Sequence, residues 1–160
     1  MTDRQLALKS LRYRRSILHW IKHAGAGHTG GSLSCVDILN VLYNRILRVA
    51  PTTFSDPKRD RYIQSKGHSV EALFVVLADR GFFPESDLAT LCGYQSDYVG
   101  HPTRHVAGIE QNTGATRGGN RIADHVRADP GEEEPVERIP DDLAEFAVTT
   151  GGRAKRAAGN

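Results

Sequence analysis

Three glycine–histidine pairs carry the chemistry that can be read from this sequence: Gly27-His28, Gly67-His68 and Gly100-His101. Imidazole bonds a ligand in either protonation state and moves protons near neutral pH. Glycine loses the most conformational freedom on folding, so each glycine beside a histidine calls for a turn or a close backbone approach. The densest case is Ala24-Gly25-Ala26-Gly27-His28-Thr29-Gly30-Gly31-Ser32, which taken singly reads equally well as a plain interhelix turn. Its recurrence points to a polar, anionic small molecule held by glycine backbones and imidazoles; Lys66 beside His68 reads first as a surface lysine and second as a positive charge for that anion. Metal chelation is the alternative: His28, His68 and His101, if they converge, would make a zinc site, and His19/His23 and His101/His105 have helical spacing. Pro102 interrupts the second pair and neither has a third ligand nearby, so no metal ligand is assigned. His19, His23, His105 and His125 are read as ordinary surface or partly buried residues. Neither a P-loop nor a strand-linked dinucleotide motif occurs.

The elements that must position these histidines follow from periodicity. From Asp3 to His23, Ala7, Leu11, Leu18 and Ile21 recur at helical spacing, widened by Tyr13, Ile17 and Trp20. Arg12, Arg14 and Arg15 line the opposite, wet face, and the glycine loop ends the helix. Ser34-Cys35-Val36-Asp37 has capping-box spacing and predicts a second helix in which Val36, Leu39, Leu42, Tyr43 and Ile46 pack deeply. Residues 50–58 read as a surface loop and 60–65 as a short strand. That strand runs into Lys66-Gly67-His68 and a third helix over Ala72, Leu73, Val76 and Leu77, closed by Gly81. His68 thereby falls at a helix N-terminus, which favours an anion. Pro84 opens a shorter helix through Leu91, and His101 and Gly114 lie on loops.

The chain has 160 residues, enough for one domain with a core. Its 21 basic and 19 acidic residues are nearly balanced, which implies neither a nucleic-acid nor a membrane partner. Cys35 and Cys92 stand far apart, as suits a reducing cytoplasm. The N-terminus has no apolar signal segment, and no apolar run is long enough to span a bilayer. Beyond Ala115 charge, glycine and alanine dominate, and Phe146 is the sole aromatic residue. We expect residues 1–116 to form the folded domain and 117–160 an unrelated polar tail, mostly disordered, with a brief helix over 141–148.

Residues 10–115 resemble the N-terminal part of transketolases, especially the N-terminal subunit of split, two-chain forms. The resemblance rests on Arg14-Arg15-Ser16-Ile17-Leu18, Gly27-His28-Thr29-Gly30-Gly31-Ser32-Leu33-Ser34 and Asp37-Ile38-Leu39. It continues through Asp60-Arg61-Tyr62-Ile63-Gln64-Ser65-Lys66-Gly67-His68, Arg80-Gly81-Phe82-Phe83, Gly100-His101-Pro102 and Asn112-Thr113-Gly114. It implies an enzyme that uses thiamin diphosphate to move two-carbon ketol units between sugar phosphates. It implies that His28 faces the donor's hydroxyls and assists proton transfer. His68 would contact the diphosphate, His101 would lie near the thiazolium and the substrate, and Gly114 would form a turn over the diphosphate. Deoxyxylulose-phosphate synthases and pyruvate dehydrogenase first components share a comparable plan, but Lys66-Gly67-His68 and the Gly-His-Pro unit fit transketolase better.

The family's magnesium is held by a Gly-Asp-Gly strand end and a later asparagine, and no Gly-Asp-Gly occurs here. Thr116-Arg117-Gly118-Gly119-Asn120 leaves the family pattern just after Gly114, as a frameshift in a GC-rich gene would. The expected fold is therefore an incomplete α/β thiamin diphosphate-binding domain, mostly helical, with one or two short strands. Apolar faces such as Leu39, Leu42 and Val76 should be poorly buried, leading to marginal stability, self-association or dependence on a partner. Three readings stand: an enzyme fragment inactive alone, acting with a transketolase C-terminal subunit or as a homodimer; a non-catalytic interaction or regulatory module pairing with a complete transketolase; and a histidine metal-binding protein.

Overall fold

The computed structural model describes residues 1–114 and the strand Phe146–Thr149. Helix α1 spans Asp3–Ala24 and α2 spans Thr29–Val41. Thr2 and Gln5 cap α1 reciprocally: Thr2 N–H donates to Gln5 Oε1 at 2.8 Å, and Gln5 N–H donates to Thr2 Oγ1 at 3.3 Å. Gly25 ends α1 in the left-handed region at φ +64°.

The buried face of α1 is Leu6, Ser10, Tyr13 and Ile17. The expected face holds in part: Tyr13 and Ile17 are buried and Trp20 and Ile21 pack against the core, whereas Leu11 is 59% and Leu18 46% exposed. The cause is polar. Asn40, buried on α2, donates to the Leu6 carbonyl and to Ser10 Oγ, each at 2.8 Å. Buried polar groups are paired in native structures, so these bonds select one rotation of α1 over the rotation that apolar spacing favours. Arg14 leaves the wet arginine face to grip Asp37 with two bonds of 2.8 and 2.6 Å.

Helix α2 begins at Thr29, well before Ser34, so Gly30 and Gly31 belong to its first turn. Ser34 Oγ instead donates to the Gly31 carbonyl at 2.7 Å. A π-helical turn over Leu42–Ile46 continues α2. Its wider winding leaves Ile46 exposed, against the expected deep burial, while Val36, Leu39 and Tyr43 are buried.

The strand β1, Arg61–Gln64, leads through a 3-10 turn at Gly67–Ser69 into α3, Val70–Asp79. Every residue from Val70 to Leu77 is buried, because α3 packs against α1, α2 and a 3-10 segment at Glu85–Thr90. Glu85–Thr90 takes the place of the short helix expected after Pro84. Leu39 and Val76 are fully buried and Leu42 half-buried, so the expectation of poorly covered faces fails. The helices cover one another instead.

The strand β2, Phe146–Thr149, pairs antiparallel with β1, placing Thr149 opposite Arg61 and Phe146 opposite Gln64. The brief helix expected over 141–148 therefore gives way to a strand from Phe146 onward. Phe-Ala-Val-Thr is rich in residues that suit a pleated edge once one is offered. Residues 141–145 and the remainder of the tail expected to be disordered lie outside the described residues. No helix among the described residues is long and apolar enough to cross a membrane.

Candidate functional site

The structure brings together all four residues singled out from the sequence. His28 precedes α2, His68 lies in the turn before α3, and His101 and Gly114 come from the loop region after the 3-10 segment. Ring centroids are 4.9 Å apart for His28–His68, 4.7 Å for His68–His101 and 5.9 Å for His28–His101. His101 Nε2 lies 3.4 Å from His68 Nε2.

Glycine makes this convergence sterically feasible. A Cβ on Gly31 would stand 2.4 Å from the His68 carbonyl oxygen, so α2 reaches the His68 turn only without a side chain there. Gly67 and Gly114 are likewise in backbone contact beneath the His101 ring. Of three bonds at this loop, one ties it to β1 and two brace the loop itself. Thr113 Oγ1 donates to the Gln64 carbonyl at 2.5 Å, Thr113 N–H to the Pro102 carbonyl at 3.2 Å, and Arg104 N–H to Asn112 Oδ1 at 2.7 Å. Ser69 Oγ donates to the Lys66 carbonyl at 2.7 Å, closing the turn that presents His68.

Burial, followed by the neighbouring His68 and His28, holds the His101 imidazole below its ordinary range, with Glu71 acting in the opposite sense. His101 is thereby biased toward the neutral ring, which both donates and accepts hydrogen bonds.

Sequence reasoning missed Glu71. It is 1% exposed, and its carboxylate faces the Gly27–Ser32 segment. The available signal was an acidic residue inside the otherwise apolar run Val70–Leu77. His19 and His23 stay on α1 beside Trp20 with ring centroids 4.7 and 5.9 Å from it, and His105 is exposed. His125 lies outside the described residues. Among the described residues, no group of three or more His, Cys, Asp or Glu is placed to hold a metal ion.

A helical layer around a short strand, with imidazoles and close-packed glycines gathered where the strand enters a helix, defines an α/β domain with a loop-edge histidine site. A family model described as "Transketolase, thiamine diphosphate binding domain" matches residues 5–134. The chain belongs to the transketolase family, in its thiamine diphosphate binding domain. It is 46% identical over 110 residues to one subunit of the apulose-4-phosphate transketolase of Phocaeicola vulgatus, covering 69% of this chain and 39% of that protein. It is 36% identical over 118 residues to the 6-deoxy-6-sulfo-D-fructose transketolase subunit SqwG of a Clostridium species, covering 72% of this chain and 43% of that one. In fold it resembles the transketolase from Leishmania mexicana, with a TM-score of 0.61 at 24% identity, covering 72% of this chain and 17% of that one. The chain thus spans about two-fifths of the length of these curated relatives.

Proposed function

We propose that this chain supplies the diphosphate-binding wall of a two-chain transketolase and is inactive by itself. The meeting of His28, His68 and His101 beside the Gly67–Gly114 contact supports this reading above all other features. That contact is a cradle which a Cβ at either position would fill, and imidazoles are suitable donors for diphosphate oxygens, so the residues present fit the cofactor. Thiamin diphosphate, when bound, serves as the electron sink for carbon–carbon bond transfer. In this reading His68 holds the diphosphate, and Gly114 lets the backbone approach it. His101, biased neutral, bonds cofactor and substrate. His28 orients the hydroxyls of a sugar phosphate and accepts or returns a proton at Nε2. Magnesium requires ligands from outside the described residues, and the family's Gly-Asp-Gly is absent from the sequence.

The named relatives are called subunits, and this supports a partner chain here. Leu8, Leu11 and Leu18 of α1 and Ile38 and Val41 of α2 remain exposed, consistent with a surface that a partner would cover. Calorimetry with thiamin diphosphate and magnesium tests the reading. The chain alone is expected to show no binding near micromolar strength, about −8 kcal/mol. The same titration after co-expression with a transketolase C-terminal subunit is expected to gain binding. Micromolar binding by the isolated chain would contradict inactivity through missing ligands. Co-purification with a complete transketolase, without gained cofactor affinity, would favour a regulatory pairing module.

A further inference from the structure

We propose that Glu71 is a positioning residue, holding the His28 imidazole with its proton on Nδ1 so that Nε2 is the free proton acceptor. This deepens the proposed role of His28 in proton transfer and rests on it. Three bonds support it, all from one carboxylate to one short segment. Glu71 Oε1 accepts from the His28 backbone N–H at 2.9 Å and faces His28 Nδ1 at 3.2 Å. Glu71 Oε2 accepts from Ser32 Oγ at 2.7 Å. Gly27, at φ +145°, makes room for this, because a Cβ there would stand 3.0 Å from Glu71 Oε1.

A carboxylate taken out of water must be paired or hydrogen-bonded, and Glu71 meets that requirement here through the Gly27–Ser32 segment. An ionised carboxylate only accepts, so the ring nitrogen that faces it must carry the proton. In a neutral imidazole that leaves Nε2 as the acceptor. Nε2 makes no hydrogen bond among the described residues, and the side chain is 34% exposed, so this nitrogen can meet a ligand. A merely structural staple would need the backbone and Ser32 bonds, but not the one to Nδ1.

The test is heteronuclear NMR of the full chain at neutral to mildly alkaline pH, reading the tautomer of His28 from its ring nitrogens, with H28Q for assignment. The expected result is a protonated Nδ1 and a bare Nε2. E71Q, which keeps an oxygen acceptor, is expected to retain that form, and E71M to lose the Nδ1–H signal in favour of Nε2–H. An Nε2–H ring in the unsubstituted chain would overturn the proposal even if E71M fails to fold. So would an unchanged tautomer in folded E71M. The readout needs no bound cofactor, so a negative calorimetry result and a negative tautomer result are separate failures.

Discussion

Gly67 and Gly114 meet backbone to backbone, although α3, the 3-10 segment and a long loop lie between them in the chain. A Cβ on Gly67 would sit 2.4 Å from Gly114 Cα, and a Cβ on Gly114 would sit 2.2 Å from His101 Cδ2. Gly114 also has φ +97°, which disfavours any side chain. Backbone strain and overpacking together lead us to expect that G114A lowers stability by about 2–4 kcal/mol. Gly30 is the contrast, since a Cβ there meets nothing within 4 Å in a helical turn. G30A is expected to raise stability by up to about 1 kcal/mol. Urea denaturation of the two variants checks both signs, and a G114A protein of undiminished stability would refute the contact.

Arg59 and Glu110 fasten the loop that ends at Gly114. Their side chains are 6% and 11% exposed and form an ion pair, with Arg59 Nη2 donating to Glu110 Oε2 at 3.0 Å. The guanidinium also lies 4.0 Å over the Phe54 ring. Removing one member of a buried pair strands the other charge, so E110A is expected to cost about 3–5 kcal/mol. R59M/E110L, which removes both charges, is expected to recover most of that loss. Denaturant midpoints of wild type, E110A and R59M/E110L decide the matter. A cost below about 1 kcal/mol for E110A would match an exposed pair and contradict the burial.

His101 predicts a pH dependence whose sign is fixed. Its imidazole is held below the ordinary value of 6.5, chiefly by burial and then by His68 and His28. As pH falls through that value, the unfolded chain takes up a proton before the folded one does. The contribution of His101 to stability is therefore full above about pH 6.5 and declines as pH falls below it. H101Q is expected to lose less stability than wild type when pH is lowered from about 7.5 to about 5.5. The comparison is made by urea denaturation at the two pH values. Equal losses in both proteins would show that His101 has no part in the effect.

The three histidines and Gly114 were legible in the sequence because they announce themselves locally, whereas Glu71 was not. A glycine beside a histidine at the end of a helical pattern marks a boundary, and boundaries are where a scaffold can aim a side chain. The start of α2 was not legible. Ser34 and Asp37 have the spacing of a cap, but Ser34 bonds back to Gly31 and Asp37 pairs with Arg14 on another helix. The strand at Phe146–Thr149 was missed because its preference appears only when β1 offers an edge. The rotation of α1 was missed because Ser10 looks polar until Asn40 bonds it.

By itself, the sequence determined that three helices form, the strand entering the His68 turn, the glycine stop after α1, and the three histidines that gather with Gly114. Each depends on contacts between near neighbours: helical period, turn chemistry, and the glycine next to each imidazole. Tertiary structure alone decided which face of α1 is buried, why Gly31 has no side chain, and what orients His28. Those depend on Asn40, on the His68 carbonyl and on Glu71, groups distant in sequence whose polar atoms must be satisfied once they leave water. Spacing along a chain cannot encode a partner that only folding supplies.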